Sequence, residues 1–263
     1  MKQKLIIVKI GGNVLDNPAQ LTQVLKAFHS IKDFKILVHG GGKKASDVLN
    51  KLGIEPRMAD GRRITDAETL EVIQMVYAGL INKNIVTELQ ALSCNAIGLS
   101  GADANTITAK KRPVKTIDYG FAGDIKSINF EMITNLLNLK LTPVFCSVMH
   151  DSKGQILNTN ADTVAAKLAA AMSKNFEVEL LYCFEKNGVL QNSENEDSVI
   201  KQITPASFEV LTNQKIIGNG MIPKIHNALF AVQNGVRSCR IMNSVKLNEY
   251  TAGKLTGTEI ALS

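Results

Sequence analysis

The sequence predicts an α/β fold, because a strand, a helix and a second strand follow one another near its start. Lys4 to Gly12 is an apolar run that ends in two glycines, and Ile36 to Gly42 is another that ends in three. Between them, Pro18 to Ile31 carries apolar residues at helical spacing. In such a βαβ unit both glycine turns lie at carboxyl ends of strands, where open α/β sheets bind their ligands.

The second turn, Gly40-Gly41-Gly42, predicts an anion site at the start of a helix that runs to Leu52. Glycines can adopt positive φ, and they keep Cβ atoms away from a ligand. Their N–H groups, together with the helix dipole, suit a phosphate or a carboxylate. A tight connection that binds nothing is the simpler alternative, but three consecutive glycines favour the anion site.

Lys9 predicts a second anion-binding turn at the end of the first strand. It interrupts the apolar run just before Gly11 and Gly12. An ammonium group is costly to bury without a counter-charge, so we expect this lysine to face one at the open end of the strand. A surface lysine on an edge strand is the alternative.

The remaining elements continue the alternation of strands and helices without a long linker. A change of character near residue 175 predicts two lobes, 1–175 and 176–263. The region between Ile107 and Ile128 is either a lid over a site or an inert decoration. After Asp60-Gly61, which predicts a turn, Arg62 and Arg63 lie on opposite faces of an extended segment. A long helix from Asp66 to Asn82, capped by Thr65, and a later helix capped by Asn160 or Asp162 are also expected. The other expected elements are a strand at Asn95–Leu99, hairpins between Ile107 and Ile128, a helix at Phe130–Leu139, strands at Leu141–Val148, Glu177–Phe184 and Val236–Met242, a helix with Pro223 in its first turn and a glycine-rich tail at Gly253–Ile260.

Composition limits the classes of function. The 263 residues carry a formal net charge of +6, which suits an anionic ligand. The basic residues are dispersed, without interleaved aromatic residues, so we expect no nucleic-acid partner. The four cysteines are far apart and the four histidines lack ligand spacing, so we expect reduced core cysteines and no protein-held metal. No signal peptide or membrane-length apolar run is seen, so we expect no membrane partner and a cytoplasmic location.

The glycine turns differ from two generic nucleotide-binding motifs in informative ways. The chain has no G-x-x-x-x-G-K-[S/T] sequence, so it is not a P-loop protein. Gly40, Gly42 and Ala45 satisfy G-x-G-x-x-A, which makes a nicotinamide-dependent oxidoreductase the rival interpretation. That fingerprint expects an acid at a strand end about 20 residues later. Asp60 lies instead in a turn beside Arg62, and no hydride-transfer constellation follows.

Six motifs, spread in order over nearly the whole chain, resemble those of the N-acetyl-L-glutamate kinase family. They are K-I-G-G (Lys9–Gly12), V-H-G-G-G (Val38–Gly42), D-G-R-R-I-T (Asp60–Thr65), D-Y-G-F-A-G-D (Asp118–Asp124), L-N-T-N-A-D (Leu157–Asp162) and G-N-G-M-I-P-K (Gly218–Lys224). The resemblance implies the amino acid kinase fold, an open, mainly parallel αβα sandwich. It also implies ATP-dependent phosphorylation of the side-chain carboxylate of N-acetyl-L-glutamate in arginine biosynthesis.

The resemblance further implies roles for individual residues. Lys9 and Lys224 would stabilise the transition state, and Asp162 would orient both lysines. Mg²⁺ would arrive on ATP and not be held by a protein cage. Residues 1–175 would bind the acyl amino acid and dimerise, and residues 176–263 would bind the nucleotide. N–H groups of Gly11, Gly12, Gly41 and Gly42 would bind phosphoryl and acceptor oxygens. Arg63 and Asn158 would hold the substrate α-carboxylate, and Asn160 would support the site. The residues that would contact the nucleotide are Glu185, Lys186, Asn187, Gly188, Val189, Leu190, Ile216, Ile217 and Gly218.

Two departures from the family's pattern leave alternatives open. Phe184-Glu185 stands where relatives commonly carry Thr-Asp or Ser-Asp, which puts the adenosine contacts there in doubt. Arg62 stands where many relatives have an apolar residue. It adds a cation near the acceptor pocket, so N-succinyl-L-glutamate is an alternative substrate. A catalytically dead nucleotide-sensing subunit is a further alternative, against which the retention of both lysines and Asp162 argues.

The resemblance also bears on assembly. Arginine-inhibited relatives carry an extra helix ahead of the first strand that interlocks dimers into a hexamer, whereas three residues precede Lys4 here. The apolar helix from Asp66 to Asn82 offers a self-complementary surface. We therefore expect a homodimer whose activity is insensitive to arginine.

Overall fold

The computed structural model of the chain describes residues 2–218 and 220–263, in which strands and helices alternate. A π-helical stretch, Gln74–Ile81, joins helices α4 and α5. The strands are β1 (Gln3–Ile10), β2 (Phe34–His39), β3 (Met58–Ala59), β4 (Arg62–Arg63), β5 (Ala96–Leu99), β6 (Ile107–Lys111), β7 (Gly123–Ile128), β8 (Thr142–Phe145), β9 (Val148–His150), β10 (Ile156–Asn158), β11 (Phe176–Phe184), β12 (Gln202–Ile203), β13 (Ser238–Asn243) and β14 (Thr258–Ile260). The helices are α1 (Asn13–Asp16), α2 (Pro18–Ser30), α3 (Gly42–Lys51), α4 (Ala67–Ile73), α5 (Asn82–Ala91), α6 (Phe130–Asn138), α7 (Ala161–Met172), α8 (Pro205–Asn213), α9 (Ile222–Gln233) and α10 (Leu247–Thr251).

The chain divides into two compact units, and the division does not fall at residue 175. The first unit contains the chain up to Lys35 and again from Ala165 onward, and the second contains Ile36–Val164. Strand pairing is the physical reason, because β1 runs parallel to β11 over its whole length, with Lys9 opposite Tyr182. The assignment of acyl-amino-acid and nucleotide binding to residues 1–175 and 176–263 stays a prediction.

The first unit has a mostly parallel sheet. Strand β11 pairs in parallel with β1 and β13, β13 pairs antiparallel with β14, and β14 pairs in parallel with β12. β11 is buried from Val178 through Phe184. Parallel strands covered on both faces read as continuous apolar runs, which explains why the sequence identifies this strand so clearly.

The second unit also has a parallel set of strands, in which β8 pairs with β2 and β5. A separate sheet has the order β10-β9-β6-β7, and β3 pairs with β4. The antiparallel β6–β7 pair confirms the hairpin expected between Ile107 and Ile128. Both units therefore have the predicted α/β character.

The helix cap predicted at Thr65 is wrong. Thr65 is fully buried, and its Oγ1 accepts a hydrogen bond from Asn158 Nδ2. Asp66 caps α4 instead, since its Oδ1 accepts from the Thr69 N–H at 2.9 Å. The helical run continues beyond the predicted end, through the π-helical stretch to the end of α5.

Two other local predictions need correction. Leu141–Val148 is not one strand, because β8 ends at Phe145 and β9 starts at Val148 in the other sheet. Between them, the Ser147 carbonyl oxygen accepts a hydrogen bond from the N–H of Thr159, which follows β10. The glycine-rich tail contains β14, which at three residues is too short to leave a periodic signal in the sequence.

The structure bears on two expectations from composition, which concern membrane-spanning helices and cysteines. Among the residues described, no helix combines the length and the apolar character needed to cross a membrane. All four cysteines are buried and unpaired, which confirms the prediction of reduced core cysteines.

Candidate active site

In the second unit, the turn Gly40-Gly41-Gly42 connects β2 to α3. Gly41 has φ 157° and ψ 16° and directly precedes the helix. A Cβ atom at this position would lie 2.9 Å from ring carbons of Tyr77 and closer still to Ile81 Cδ1. Gly41 must therefore be glycine both for its backbone conformation and because the π-helical stretch packs against it. The turn supplies first-turn N–H groups of α3, which suit an anion.

Arg63 is buried beside this turn, with 8% of its surface exposed. Its Nη2 donates to the carbonyl oxygen of Gly42 at 2.8 Å and to Ser46 Oγ at 2.7 Å. Its Nη1 is also buried and has no hydrogen-bond partner in the described part of the chain. A buried guanidinium nitrogen without an acceptor is costly, so Nη1 suits a carboxylate of a bound ligand. Burial raises the pKa of the Tyr77 hydroxyl, and the neighbouring Arg63 cation opposes that rise.

The polar residues of the L-N-T-N-A-D motif have separate tasks. Asn158 Nδ2 donates to Thr65 Oγ1 at 3.0 Å. Asn160 Oδ1 accepts from the Thr163 N–H at 3.1 Å, so Asn160 caps α7. Asp162 is half-buried in the first turn of that helix. The motif thus brings an amide and a carboxylate to one strand-to-helix junction, as the sequence indicates.

The loop between β6 and β7 passes along Thr65. The Phe121 N–H donates to the Thr65 carbonyl at 2.7 Å, and the Asn158 N–H donates to the Phe121 carbonyl at 2.9 Å. Gly120 has φ 64°, and a Cβ atom there would overlap the Thr65 carbonyl oxygen. The excursion between β6 and β7 is therefore built against Asn158, one of the predicted substrate-binding residues.

Arg62 faces away from Arg63, as the strand geometry predicts. Burial and the Arg112 cation lower the Arg62 pKa, and Asp124, Tyr119 and Asp60 oppose that shift. Arg112 itself forms an ion pair with Asp124 at 2.5 Å. These neighbours of Arg62 belong to a cavity of about 390 Å³ whose charged and aromatic lining consists of Asp60, Lys110, Arg112, Lys115, Tyr119 and Asp124.

In the first unit, charged side chains surround the turn Gly11-Gly12. Lys9 is half-buried, and its Nζ lies 2.7 Å from the position that a Cβ atom of Gly11 would take. Gly12 has φ 55°, and a Cβ atom there would lie 3.8 Å from Glu185 Oε2. The Lys9 ammonium and the Glu185 carboxylate therefore both border the turn.

Lys224 reaches the same part of the first unit from helix α9. Its Nζ lies 5.3 Å from the centroid of the Tyr182 ring and 5.8 Å from that of Phe184. Burial raises the pKa of the Cys183 thiol to about 12, and the Lys9 and Lys224 cations both oppose that rise. The two predicted catalytic lysines thus both lie within electrostatic reach of one residue near the end of β11.

A second cavity, of about 130 Å³, gathers most of the predicted nucleotide contacts in the first unit. Pockets for drug-sized molecules usually measure roughly 300–1,000 Å³, so this cavity suits one part of a nucleotide. Glu185 and Asn187 are not among its lining residues. The predicted contacts that line it are Lys186, Gly188, Val189, Leu190, Ile216, Ile217 and Gly218, joined by Ser193 and Met221.

Two predicted contacts, Lys186 and Asn187, bond to Glu196. Lys186 Nζ donates to Glu196 Oε1 at 2.6 Å, and this hydrogen bond raises the Lys186 pKa. Asn187 Nδ2 donates to the Glu196 carbonyl at 3.1 Å. A nucleotide phosphate would compete with Glu196 for the exposed Lys186 ammonium.

Sequence reasoning missed the residues that hold this loop. Thr258 Oγ1 accepts from the Val189 N–H at 2.8 Å. Asn243 Nδ2 donates to the Glu185 carbonyl at 2.9 Å. The signal available in the sequence was the glycine of the Gly257-Thr258 pair, because glycine favours turns that need positive φ. In the structure Gly257 has φ 75°.

The groups found in each unit suit different chemistry. The first unit offers two cations and a glycine turn, which suit a polyphosphate. The second offers an unpaired guanidinium nitrogen, an amide and helix N–H groups, which suit a carboxylate. Within residues 2–218 and 220–263, no group of three or more His, Cys, Asp or Glu side chains is arranged to hold a metal ion.

The profile of the amino acid kinase family matches residues 4–243. The chain therefore belongs to the amino acid kinase family, which confirms the predicted open, mainly parallel αβα sandwich. The crystal structure of smu.665 from Streptococcus mutans UA159 matches with a TM-score of 0.80 and 25% identity, covering 98% of this chain and 99% of that one.

Relatives within that family are more similar. The acetylglutamate kinase of Cytophaga hutchinsonii is 52% identical over 260 residues, 98% of each chain. The acetylglutamate kinase of Phocaeicola vulgatus is 49% identical over 249 residues, 95% of this chain and 97% of that one. The chain is thus a member of the acetylglutamate kinases, and the nicotinamide-dependent alternative is set aside.

Proposed function

We propose that the chain transfers the γ-phosphoryl group of ATP to the γ-carboxylate of N-acetyl-L-glutamate. The products are N-acetyl-L-glutamyl 5-phosphate and ADP, and the reaction is a step of arginine biosynthesis. The observation that carries this proposal is the 52% identity to the Cytophaga hutchinsonii acetylglutamate kinase over 98% of both chains.

The chemistry needs no general base. A γ-carboxylate has an unperturbed pKa of about 4.3, so it is ionised at neutral pH. Its oxygen bonds to the γ-phosphorus while the bond from that phosphorus to the bridging oxygen breaks, and the bridging oxygen leaves with ADP. The main obstacle is the crowding of negative charge, which cations and preorganised N–H donors relieve. Lys9 and Lys224 supply the cations, and the donors are the N–H groups of Gly11, Gly12, Gly41 and Gly42.

Arg63 is the main ligand of the acceptor's α-carboxylate. Its Nη2 is fixed by the Gly42 carbonyl and by Ser46, so the guanidinium is oriented before the substrate binds. Its Nη1 remains for the carboxylate. Asn158 adds an amide, and Asn160 supports the site through its cap on α7. Preorganisation of this kind lowers the entropy cost of binding.

The nucleotide binds to the first unit, in line with the 130 Å³ cavity that its predicted contacts line. The described residues include no group of three or more His, Cys, Asp or Glu side chains that could hold a metal ion, and one carboxylate oxygen, Glu185 Oε2, lies within 4 Å of a Cβ placed on Gly12. Such a site fits a Mg²⁺ ion that arrives bound to the phosphates. That ion supplies charge neutralisation on the phosphate oxygens.

N-succinyl-L-glutamate is the second candidate acceptor, which the surroundings of Arg62 favour. Arg62 lies among Arg112, Tyr119 and Asp124, beside a cavity that also carries Lys110 and Lys115. An additional carboxylate on the acyl group would find compensating positive charge there. The N-acetyl group is uncharged, so it would gain no such electrostatic stabilisation from Arg62.

The chain is proposed to act as a cytoplasmic homodimer. On the π-helical stretch, Met75 is 57% and Leu80 is 43% exposed, and nothing lies within 4 Å of a Cβ placed on Gly79. An apolar, open helix face of this kind suits a two-fold contact with a second copy. Four free buried thiols support a reducing compartment. Light scattering of the wild type should give a dimer and that of Met75→Glu a monomer, and a monomeric wild type would exclude the proposal.

Hydroxylamine trapping tests the proposed reaction. The purified protein, ATP and Mg²⁺ should give a hydroxamate whose yield depends on the acceptor. We expect the largest kcat/KM with N-acetyl-L-glutamate and a far smaller one with unacylated glutamate. A larger value with N-succinyl-L-glutamate would select the second candidate. No hydroxamate from any acceptor would identify a catalytically dead subunit.

A further inference from the structure

We infer that His39 is a positioning residue that fixes the direction of the Gly41 N–H. The inference rests on the proposed use of that N–H to bind an oxygen of the reacting groups. His39 is the last residue of β2 and is completely buried. Its Nδ1 lies 2.8 Å from the carbonyl oxygen of Gly40. The imidazole therefore contacts the first peptide group of the glycine turn.

Asn82 determines which imidazole nitrogen carries the proton. Asn82 Nδ2 lies 3.0 Å from the Val144 carbonyl oxygen and 3.0 Å from His39 Nε2. A carbonyl only accepts, so the group that faces Val144 is the NH₂ group of the amide. Its second hydrogen points to Nε2, which must accept. In a neutral imidazole the proton is then on Nδ1, and Nδ1–H donates to the Gly40 carbonyl.

Peptide planarity carries this orientation to Gly41. The Gly40 carbonyl and the Gly41 N–H belong to the same planar trans peptide group, so they point in opposite directions. A hydrogen bond that holds the Gly40 oxygen towards His39 turns the Gly41 N–H away from His39. Glycines alone would leave this peptide free to rotate, since they impose few limits on φ and ψ.

The surroundings of Asn82 support its role as a donor. Its Oδ1 is buried and has no hydrogen-bond partner among the described residues, so the contacts that hold this amide are those of its NH₂ group. A Cβ atom at Gly98 would overlap that oxygen, so the amide is packed tightly in place. Asn82 also follows the π-helical stretch whose Tyr77 and Ile81 pack on Gly41. The helical run that contains Tyr77, Ile81 and Asn82 thus fixes both the His39 side chain and the Gly41 backbone.

Two substitutions of His39 separate the donor from the bulk of the ring. The amide nitrogen of His39→Asn is attached to Cγ, as Nδ1 is, so it can still donate to the Gly40 carbonyl. In His39→Gln the amide is one atom further along, towards Asn82. We expect kcat to fall by about 10- to 100-fold in His39→Gln, the scale of a misplaced donor, with the KM for ATP unchanged. His39→Asn should stay within a few-fold of the wild type.

His29→Gln, on helix α2, is the matched control and should behave as the wild type. Equal losses of kcat in His39→Asn and His39→Gln would show that the donor is not what matters. Wild-type activity in a folded His39→Gln would overturn the positioning role altogether.

The tautomer gives a readout that does not depend on activity. In the wild type labelled with ¹⁵N-histidine, the His39 signals, assigned by their loss in His39→Asn, should show a protonated Nδ1 and an unprotonated Nε2. Asn82→Asp should protonate both nitrogens, because a carboxylate accepts from Nε2–H. A protonated Nε2 in the wild type would overturn the inference even if N-acetyl-L-glutamate is phosphorylated. The correct tautomer without hydroxamate formation would instead count against the proposed function.

Discussion

The two glycine turns look alike in the sequence but owe their glycines to different physical causes. At Gly41 the neighbours are Tyr77 and Ile81, buried side chains of a helical run that cannot move aside easily. At Gly11 the neighbour is the flexible end of Lys9. Glycine at position 41 allows the backbone conformation of the turn, and glycine at position 11 leaves space for the Lys9 ammonium group.

This difference separates what each turn contributes. The turn in the second unit is a rigid donor whose carbonyls and N–H groups are held by packing and hydrogen bonds. The turn in the first unit gives space to an ammonium and borders a carboxylate, Glu185. Substitution of Gly11 should therefore reduce catalysis with little loss of stability, whereas substitution of Gly41 should reduce both.

The largest effect is expected for Gly41→Ala. Positive φ and the overlap with Tyr77 and Ile81 should together lower the free energy of unfolding by about 3 kcal/mol and abolish activity. Gly53→Ala is the control, because Gly53 has φ 75° but open space around its Cβ. Urea unfolding of both variants separates the two causes. A loss in Gly41→Ala no larger than in Gly53→Ala would remove packing from the explanation.

Lys9→Met and Lys224→Met should each lower kcat by about 10²-fold or more, the usual result of losing a preorganised donor at developing charge. Their unfolding midpoints should stay close to that of the wild type. Lys26→Met, on the exposed face of α2, is the matched control. Steady-state kinetics that placed either variant within a few-fold of the wild type would exclude that lysine from the mechanism.

Arg63→Lys should raise the KM for the acceptor by about tenfold and lower kcat less. An ammonium cannot bond to the Gly42 carbonyl, Ser46 and a carboxylate in the planar geometry of a guanidinium. The KM for ATP serves as the internal control, since Arg63 belongs to the second unit. An unchanged acceptor KM would contradict the carboxylate role.

Gly11→Ala should have the smallest effect of the set. The added methyl group displaces only the end of Lys9, so the protein should fold with nearly unchanged stability and lose a few-fold in kcat. Lys9→Met/Gly11→Ala should be no slower than Lys9→Met alone, because the methyl group acts only through Lys9. Additive losses would show that Gly11 has a role of its own.

The features that could be predicted from the sequence are those that depend on residues close together in the chain. The βαβ start, the two glycine turns and the opposite directions of Arg62 and Arg63 follow from local periodicity. The pairing of β1 with β11 joins residues far apart in the chain, so no local pattern could place the boundary between the units. The use of Tyr77 and Ile81 against Gly41 depends on a π-helical stretch, which helical periodicity does not reveal.

Phosphoryl transfer to a carboxylate is tested most directly by following oxygen. N-acetyl-L-glutamate labelled with ¹⁸O at both γ-carboxylate oxygens is incubated with the protein, ATP and Mg²⁺, and the product is trapped with hydroxylamine. Hydroxylamine attacks the acyl carbon, so the bridging oxygen leaves with phosphate. The released phosphate should carry one ¹⁸O atom. Phosphate without ¹⁸O would show that water, and not the γ-carboxylate, attacks ATP.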